Sequence, residues 1–205
     1  MAHGVCIIGC GLSGLTFHAP LVLALRKCFD LACFVTSKSE DEVFSLIGTK
    51  VRCYKTFAEA CDFSDTFSVV IVTSPNDTHK LFAVEALQRG KHVVVEKPFA
   101  LTLGEADEMI KTANSTAGTL LSCFQNRRFD SDFLTVQQLL TSGVLGEVMS
   151  FRSEWRRFRP QIKDNCRWKK GPGAGLVRTF RGVFAFLKWL VPVVRSRSTH
   201  DSSSS

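Results

Sequence analysis

The chain has 205 residues, 45% hydrophobic and 22% charged, which suits a globular protein of one full domain plus part of another, or one large domain. No stretch reaches the roughly 18 apolar residues of a membrane span, and the first residues lack the basic flank of a signal peptide, which argues against membrane-spanning and secreted classes. The formal charge of +7 is uneven: residues 1–150 carry 13 Lys+Arg against 16 Asp+Glu (−3), and residues 151–205 carry 13 against 3 (+10).

From His3 to about Cys123 strand and helix patterns alternate as in a parallel α/β sheet. Val5 to Ile8 reads as the first strand, Gly9 to Gly14 as a turn and Leu15 to Lys27 as a helix. Leu31 to Val35 is the next strand, followed by a polar break at Thr36-Ser37-Lys38-Ser39, a helix over Glu40 to Ile47 and a short strand over Val51 to Tyr54. Val69 to Val72 is a fully apolar strand, and Thr78 to Arg89 an amphipathic helix stopped by Gly90. His92 to Val95, Leu103 to Ala113 and Thr119 to Cys123 continue as strand, helix and strand. Asp130 to Leu140 reads as a helix. The alternation over Glu147 to Glu154 reads as the first strand of a second, antiparallel sheet. The expected fold is thus α/β: a Rossmann-type doubly wound parallel sheet over residues 1–124, then an incomplete second α/β domain over 125–176 and an atypical basic tail over 177–205.

Eight cysteines (Cys6, Cys10, Cys28, Cys33, Cys53, Cys61, Cys123, Cys166) never form a C-x-x-C pair. Most lie in apolar patterns, where a thiol acts as a small hydrophobe, so reduced, cytoplasmic thiols are expected and no metal site is. Cys10 stands apart because it lies inside the glycine turn.

Gly9-Cys10-Gly11-Leu12-Ser13-Gly14 matches G-x-G-x-x-G directly between a strand and a helix. One glycine makes the tight turn, the next admits a pyrophosphate to the backbone, and the third lets helix and strand pack. The helix start adds free amides and partial positive charge. The alternative is a glycine turn used only for packing. Where an acid would read the ribose 2′-hydroxyl of NAD, the second strand ends on Thr36-Ser37-Lys38, with Glu40 further on. Small hydroxyls and a lysine better accommodate a 2′-phosphate, so NADP is favoured over NAD, unless Lys38 is only a solvated loop charge. Thr73 to His79 follows an apolar strand, with proline and asparagine shaping the turn and a threonine or aspartate able to cap the next helix. His79 is either on the cofactor side of the sheet or an ordinary helix histidine. Val93-Val94-Val95-Glu96-Lys97-Pro98 ends a buried strand on an acid, a base and a ring. Open α/β sheets bind ligands at such carboxyl ends, although a surface lysine can also follow a strand.

Taken together, the glycine turn, Phe17-His18-Ala19-Pro20, Ser74-Pro75-Asn76-Asp77-Thr78-His79, Glu96-Lys97-Pro98 and Asn126-Arg127-Arg128-Phe129-Asp130-Ser131-Asp132-Phe133 resemble the Gfo/Idh/MocA family of NAD(P)-dependent oxidoreductases over about residues 3–176. The resemblance implies a Rossmann domain joined to a second domain whose large antiparallel sheet holds the substrate and often an oligomer interface. It implies sugars, cyclitols and related polyols as substrates. It implies that Lys97 hydrogen-bonds the reacting oxygen and that Glu96 and Pro98 position it. Gly9, Gly11, Leu12, Ser13 and Gly14 would hold the pyrophosphate, and Ser37 and Lys38 the adenosine ribose. Ser74, Pro75, Asn76 and His79 would line the nucleotide, with Asn126 near the cofactor and substrate mouth.

Trp168 to Leu176 still resembles the family's approach to its second catalytic motif. The chain then reads Val177-Arg178-Thr179-Phe180-Arg181-Gly182 where the family carries an aspartate and a general acid/base histidine. His200, in a serine-rich end, is a poor substitute. The expectation is a truncated or frame-altered product, with the homo-oligomer usual in the family not expected. A catalytically inactive nucleotide-binding remnant is the alternative to an enzyme. A basic-tail partner, nucleic acid or anionic membrane, is the minor reading.

Overall fold

The computed structural model describes residues 2–62, 66–152, 154, 158 and 160. Six strands, β1 (His3–Ile8), β2 (Phe29–Val35), β3 (Arg52–Tyr54), β4 (Val69–Val72), β5 (His92–Val95) and β6 (Leu121–Cys123), form one sheet. Its order is β3-β2-β1-β4-β5-β6, with every neighbouring pair parallel. This is the doubly wound order, and its reversal falls between β1 and β4, where the loops leaving both strands diverge and open a crevice.

Central strands are built from consecutive apolar, largely β-branched residues because both faces are covered. The period of two sorts them: Cys6 and Ile8 of β1 join Val70, Val72, Val93 and Val95 in one core, while Val5 and Ile7 join Leu31, Phe34 and Ile71 in another. The first core takes residues from α3 (Phe57–Cys61), α4 (His79–Gln88) and α5 (Leu103–Ser115); the second takes them from α1 (Ala19–Ala24) and α2 (Glu40–Ile47). The expected Rossmann sheet is therefore present.

Local differences from the sequence expectation have physical causes. The helix after the glycine turn starts as one π-helical turn, Gly14–His18, and ends at Ala24 instead of Lys27. Its last turn tightens, with the Leu25 amide reaching both Leu21 O and Val22 O. Helix α3 was not anticipated, although Thr56 and Glu59 form a capping box around its start. Ser39 and Glu42 do the same for α2, which ends at Gly48 with φ 69°. Thr78 precedes α4 but makes no side-chain cap; its hydroxyl turns back to Ser74 Oγ and Pro75 O, both at 2.7 Å.

The chain divides after Phe124. Beyond it, a short 3-10 turn, Asn126–Phe129, leads into α6 (Ser131–Ser142), which stops at Gly143 with φ 76°. The strand expected over 147–154 is absent among the described residues there. A lone alternating segment has no ladder to join, and no other strand follows β6 among the described residues. Trp168 to Leu176, Cys166, His200 and the tail 177–205 lie outside the described residues.

Candidate functional site

The glycine turn leaves β1 at the sheet's reversal, and its three glycines do different work. Gly9 has φ 102°, and a Cβ there would lie 2.9 Å from the Thr73 carbonyl and the Ser74 amide nitrogen. A Cβ on Gly14 would come 2.4 Å from Gly9 O. Gly11 is the opposite case, with nothing within 4 Å of its would-be Cβ. Two glycines let β1, β4 and the helix close on one another, while the middle one keeps a space open beside the first-turn amides of the helix. That is the shape a dinucleotide pyrophosphate requires, so the residues fit the group.

Thr73, one residue beyond β4, locks this turn. Its Oγ1 lies 2.8 Å from Gly9 O and 3.0 Å from Ile8 O, and its amide donates to Ile8 O at 2.8 Å. Thr73→Val keeps the shape and removes the hydroxyl. It is expected to cost about 1–2 kcal/mol, read as a lower thermal midpoint with weaker dinucleotide binding.

Glu96 follows β5 and is only 7% exposed. Ser13 Oγ donates to its Oε1, as does His18 Nε2 at 3.1 Å, and the Lys97 amide donates to Oε2 at 2.9 Å. Burial alone would raise this carboxyl, but the bonds from His18, Ser13 and the Lys97 amide outweigh it and hold Glu96 below its ordinary value. His18, 3% exposed, rests its ring 4.3 Å from that of Phe124. One buried carboxylate therefore bolts the helix of the glycine turn to the end of β5.

Lys97 itself is half-buried, and the peptide to Pro98 is cis. His79 is 1% exposed, with Nδ1 2.9 Å from Pro98 O and Nε2 3.0 Å from Ser74 O. It links the loops leaving β4 and β5 from beneath. Pro75 is exposed and Asn76 half-buried in the first of those loops.

At the end of β2, Ser37 is exposed and Lys38 half-buried. Lys55 Nζ donates to Ser37 O at 2.7 Å, and the Lys38 amide to Thr36 Oγ1 at 3.2 Å. Glu40 is turned to β3, accepting from the Cys53 amide at 3.3 Å. Burial, the leading influence, raises the Cys10 thiol, while nearby Lys38 works against it.

Residues 3–124 match the oxidoreductase family with an NAD-binding Rossmann fold. The chain belongs to the Gfo/Idh/MocA family. It is 44% identical over 176 residues to the uncharacterized oxidoreductase YdgJ of Escherichia coli K12, a match covering 83% of this chain and 48% of that protein. It is 34% identical over 169 residues to the scyllo-inositol 2-dehydrogenase (NADP(+)) IolW of Bacillus subtilis, covering 82% and 46%. The solved oxidoreductase yvaA of Bacillus subtilis superposes with a TM-score of 0.81 at 31% identity, covering 91% of this chain and 52% of that one. The chain thus spans about half the length of the relatives it matches.

Within the frame of a Gfo/Idh/MocA Rossmann domain, Gly9, Gly11, Leu12, Ser13, Gly14, Ser74, Glu96 and Lys97 gather at the β1/β4 reversal. Ser37 and Lys38 lie at the end of β2, next to β1 in the sheet. Two placements differ from the sequence expectation. The Ser13 hydroxyl is directed to Glu96, which leaves its backbone for the pyrophosphate. His79 is enclosed between two carbonyls and supports the loops instead of lining their open side. Asn126 lies, as expected, beyond the division at Phe124, in a turn where Arg127 Nη1 donates to Asp130 Oδ2 at 2.6 Å. Sequence reasoning gave no role to Thr73, Lys55 or Phe124. It noted His18 only as part of a pattern, and an apolar neighbourhood around a histidine was the one available signal.

Proposed function

We propose that this chain supplies the dinucleotide-binding half of an NADP-dependent oxidoreductase acting on a hydroxyl-bearing carbon of a sugar, cyclitol or related polyol. The observation that carries this reading is Lys97 at the carboxyl end of β5, joined through Glu96 to a glycine turn with an open diphosphate space. The dinucleotide, when bound, accepts or provides the hydride. Lys97 offers N–H donors and no acceptor, so it hydrogen-bonds the reacting oxygen and stabilises negative charge there. The first-turn amides at Leu12, Ser13 and Gly14 hold the pyrophosphate, and Ser74, Pro75 and Asn76 shape the wall of the crevice. A cyclitol substrate is supported by the inositol dehydrogenase among the relatives. Residues 125–176 belong, in this reading, to the start of the substrate domain, with Asn126 at its mouth.

NADP is preferred because Lys38 and Lys55 flank the Ser37 loop while Glu40 is engaged with β3. Lys38→Ala is expected to weaken NADPH about tenfold, the worth of one charged hydrogen bond, and to leave NADH nearly unchanged. Equal losses for both cofactors in a fluorescence titration would remove the 2′-phosphate assignment. Cys6, Cys10, Cys28, Cys33, Cys53 and Cys61 are free thiols, in keeping with a reducing cytoplasmic setting. No helix among the described residues is long and apolar enough to cross a membrane.

A second reading is nucleotide binding without turnover, which the open space at the glycine turn supports by itself. Titration with NADPH, followed by a screen of inositols and sugars on the same sample, separates the two. Turnover that Lys97→Ala abolishes supports the enzyme. Saturable binding with no turnover leaves only the binding module.

A further inference from the structure

We propose that His18 is a positioning residue for Lys97, acting through Glu96 rather than through any contact with substrate or cofactor. This rests on the reading of Lys97 as the group beside the nicotinamide.

Glu96 is a nearly enclosed carboxylate whose ionised form the surroundings favour. An ionised carboxylate only accepts hydrogen bonds, so His18 Nε2 carries the proton and donates. Ser13 Oγ donates to the same oxygen, Oε1. The other oxygen, Oε2, receives the amide of Lys97. With both oxygens held, the carboxylate plane is set, and with it the peptide plane from which the Lys97 side chain departs. The Glu96 amide in turn donates to Val72 O at 3.0 Å, so β4 fixes the main chain on the other side.

His18 differs from Ser13 in how it is held. Its ring packs on Phe124, whose amide donates to Val95 O at 2.8 Å. The imidazole is therefore clamped by a residue anchored to β5, the strand it helps to orient. A hydroxyl can rotate away from Oε1, whereas a ring packed in this way has little freedom to turn. Loss of His18 leaves Oε1 with one mobile donor and frees the carboxylate to swing, which loosens the Lys97 amide. A merely structural bolt would change stability without changing where the Lys97 amine stands.

NADP whose nicotinamide ribose has been opened to a dialdehyde by periodate tests this directly. An unprotonated lysine amine adds to the aldehyde and water leaves, giving an imine; borohydride delivers hydride to that imine and traps a secondary amine. The maximal rate and half-saturating concentration of labelling are measured across pH, and the labelled lysine is located by peptide mass spectrometry. Lys97 is expected to be labelled and NADP to protect it. His18→Ala is expected to lower the maximal rate about tenfold, as misplacement of a reacting group does, with half-saturation changed less than about threefold. His18→Gln, which keeps a donor of similar reach, is expected to restore most of the rate. Wild-type rate in His18→Ala overturns the proposal, as does failure of His18→Gln to recover at an equal thermal midpoint. If His18→Ala does not fold, His18→Asn, shorter in reach, takes its place with the same expectations. Absence of label on Lys97 in wild type that binds NADPH overturns the underlying reading of Lys97, and the proposal with it.

Discussion

Gly14→Ala is expected to destabilise the folded chain by about 2–3 kcal/mol, whereas Gly11→Val leaves stability nearly unchanged and abolishes NADPH binding. A Cβ at position 14 would stand 2.4 Å from Gly9 O, a main-chain atom held in turn by Thr73. Neither partner can yield without pulling β1 from β4, so the cost is that of overpacking a closed interior. A shift of roughly 10 °C in thermal midpoint follows for a domain of this size. At position 11 the space is empty in the folded chain, so valine meets nothing until a pyrophosphate approaches. Thermal melts with NADPH fluorescence titrations check both halves. A Gly11→Val protein that binds NADPH normally would mean that the turn serves packing alone.

Replacement of Glu96 by Ala is expected to cost about 3 kcal/mol, because His18 Nε2, Ser13 Oγ and the Lys97 amide lose a shared acceptor in a buried place. The conservative Glu96→Gln carries the more specific expectation. Hydrogen bonds hold the folded carboxyl below its ordinary value, so the unfolded chain binds a proton more readily. Stability from this group is complete above the unfolded value of about 4.3 and is lost as pH falls through the folded value. Glutamine has no such proton to take up. Urea unfolding over a series of acidic pH values should therefore show a shallower decline for Glu96→Gln than for wild type. Parallel declines would show that the carboxylate is not what makes the native state acid-sensitive.

How far the sequence could be read depended on the range over which each feature acts. Apolar runs such as Val69 to Val72 and the turn from Gly9 to Gly14 carry their meaning locally, and both emerged where the pattern placed them. Helix α3 was missed although Thr56 and Glu59 stood in capping-box spacing, because it is only five residues long and too short to show a repeating amphipathic pattern. The alternation over 147–154 forms no strand among the described residues, since a period of two describes a strand only where a neighbour offers a ladder. The pairing of His18 with Glu96 had no local trace, since they stand 78 positions apart. The family resemblance could propose Lys97 as the partner of the reacting oxygen, but not the three donors that fix the residue before it. His79 shows the opposite limit. Its place near the crevice was legible, but its enclosure by the Pro98 and Ser74 carbonyls was not.

The parallel pairing of β1 with β4 has a consequence for how the chain acquires its crevice. Residues near 8 and 72 must meet before the glycine turn has a wall, and residues 13 and 96 before Lys97 is fixed. Contacts so distant in sequence form late and slowly, because loop closure precedes the reward. On the ribosome, no nucleotide pocket exists until β5 has emerged and seated beside β4. A dinucleotide therefore recognises only the fully wound sheet. At a free concentration a hundred times its dissociation constant it would stabilise that sheet by about 2.7 kcal/mol. In a cell, the cofactor supply would then help decide how much of this chain survives proteolysis.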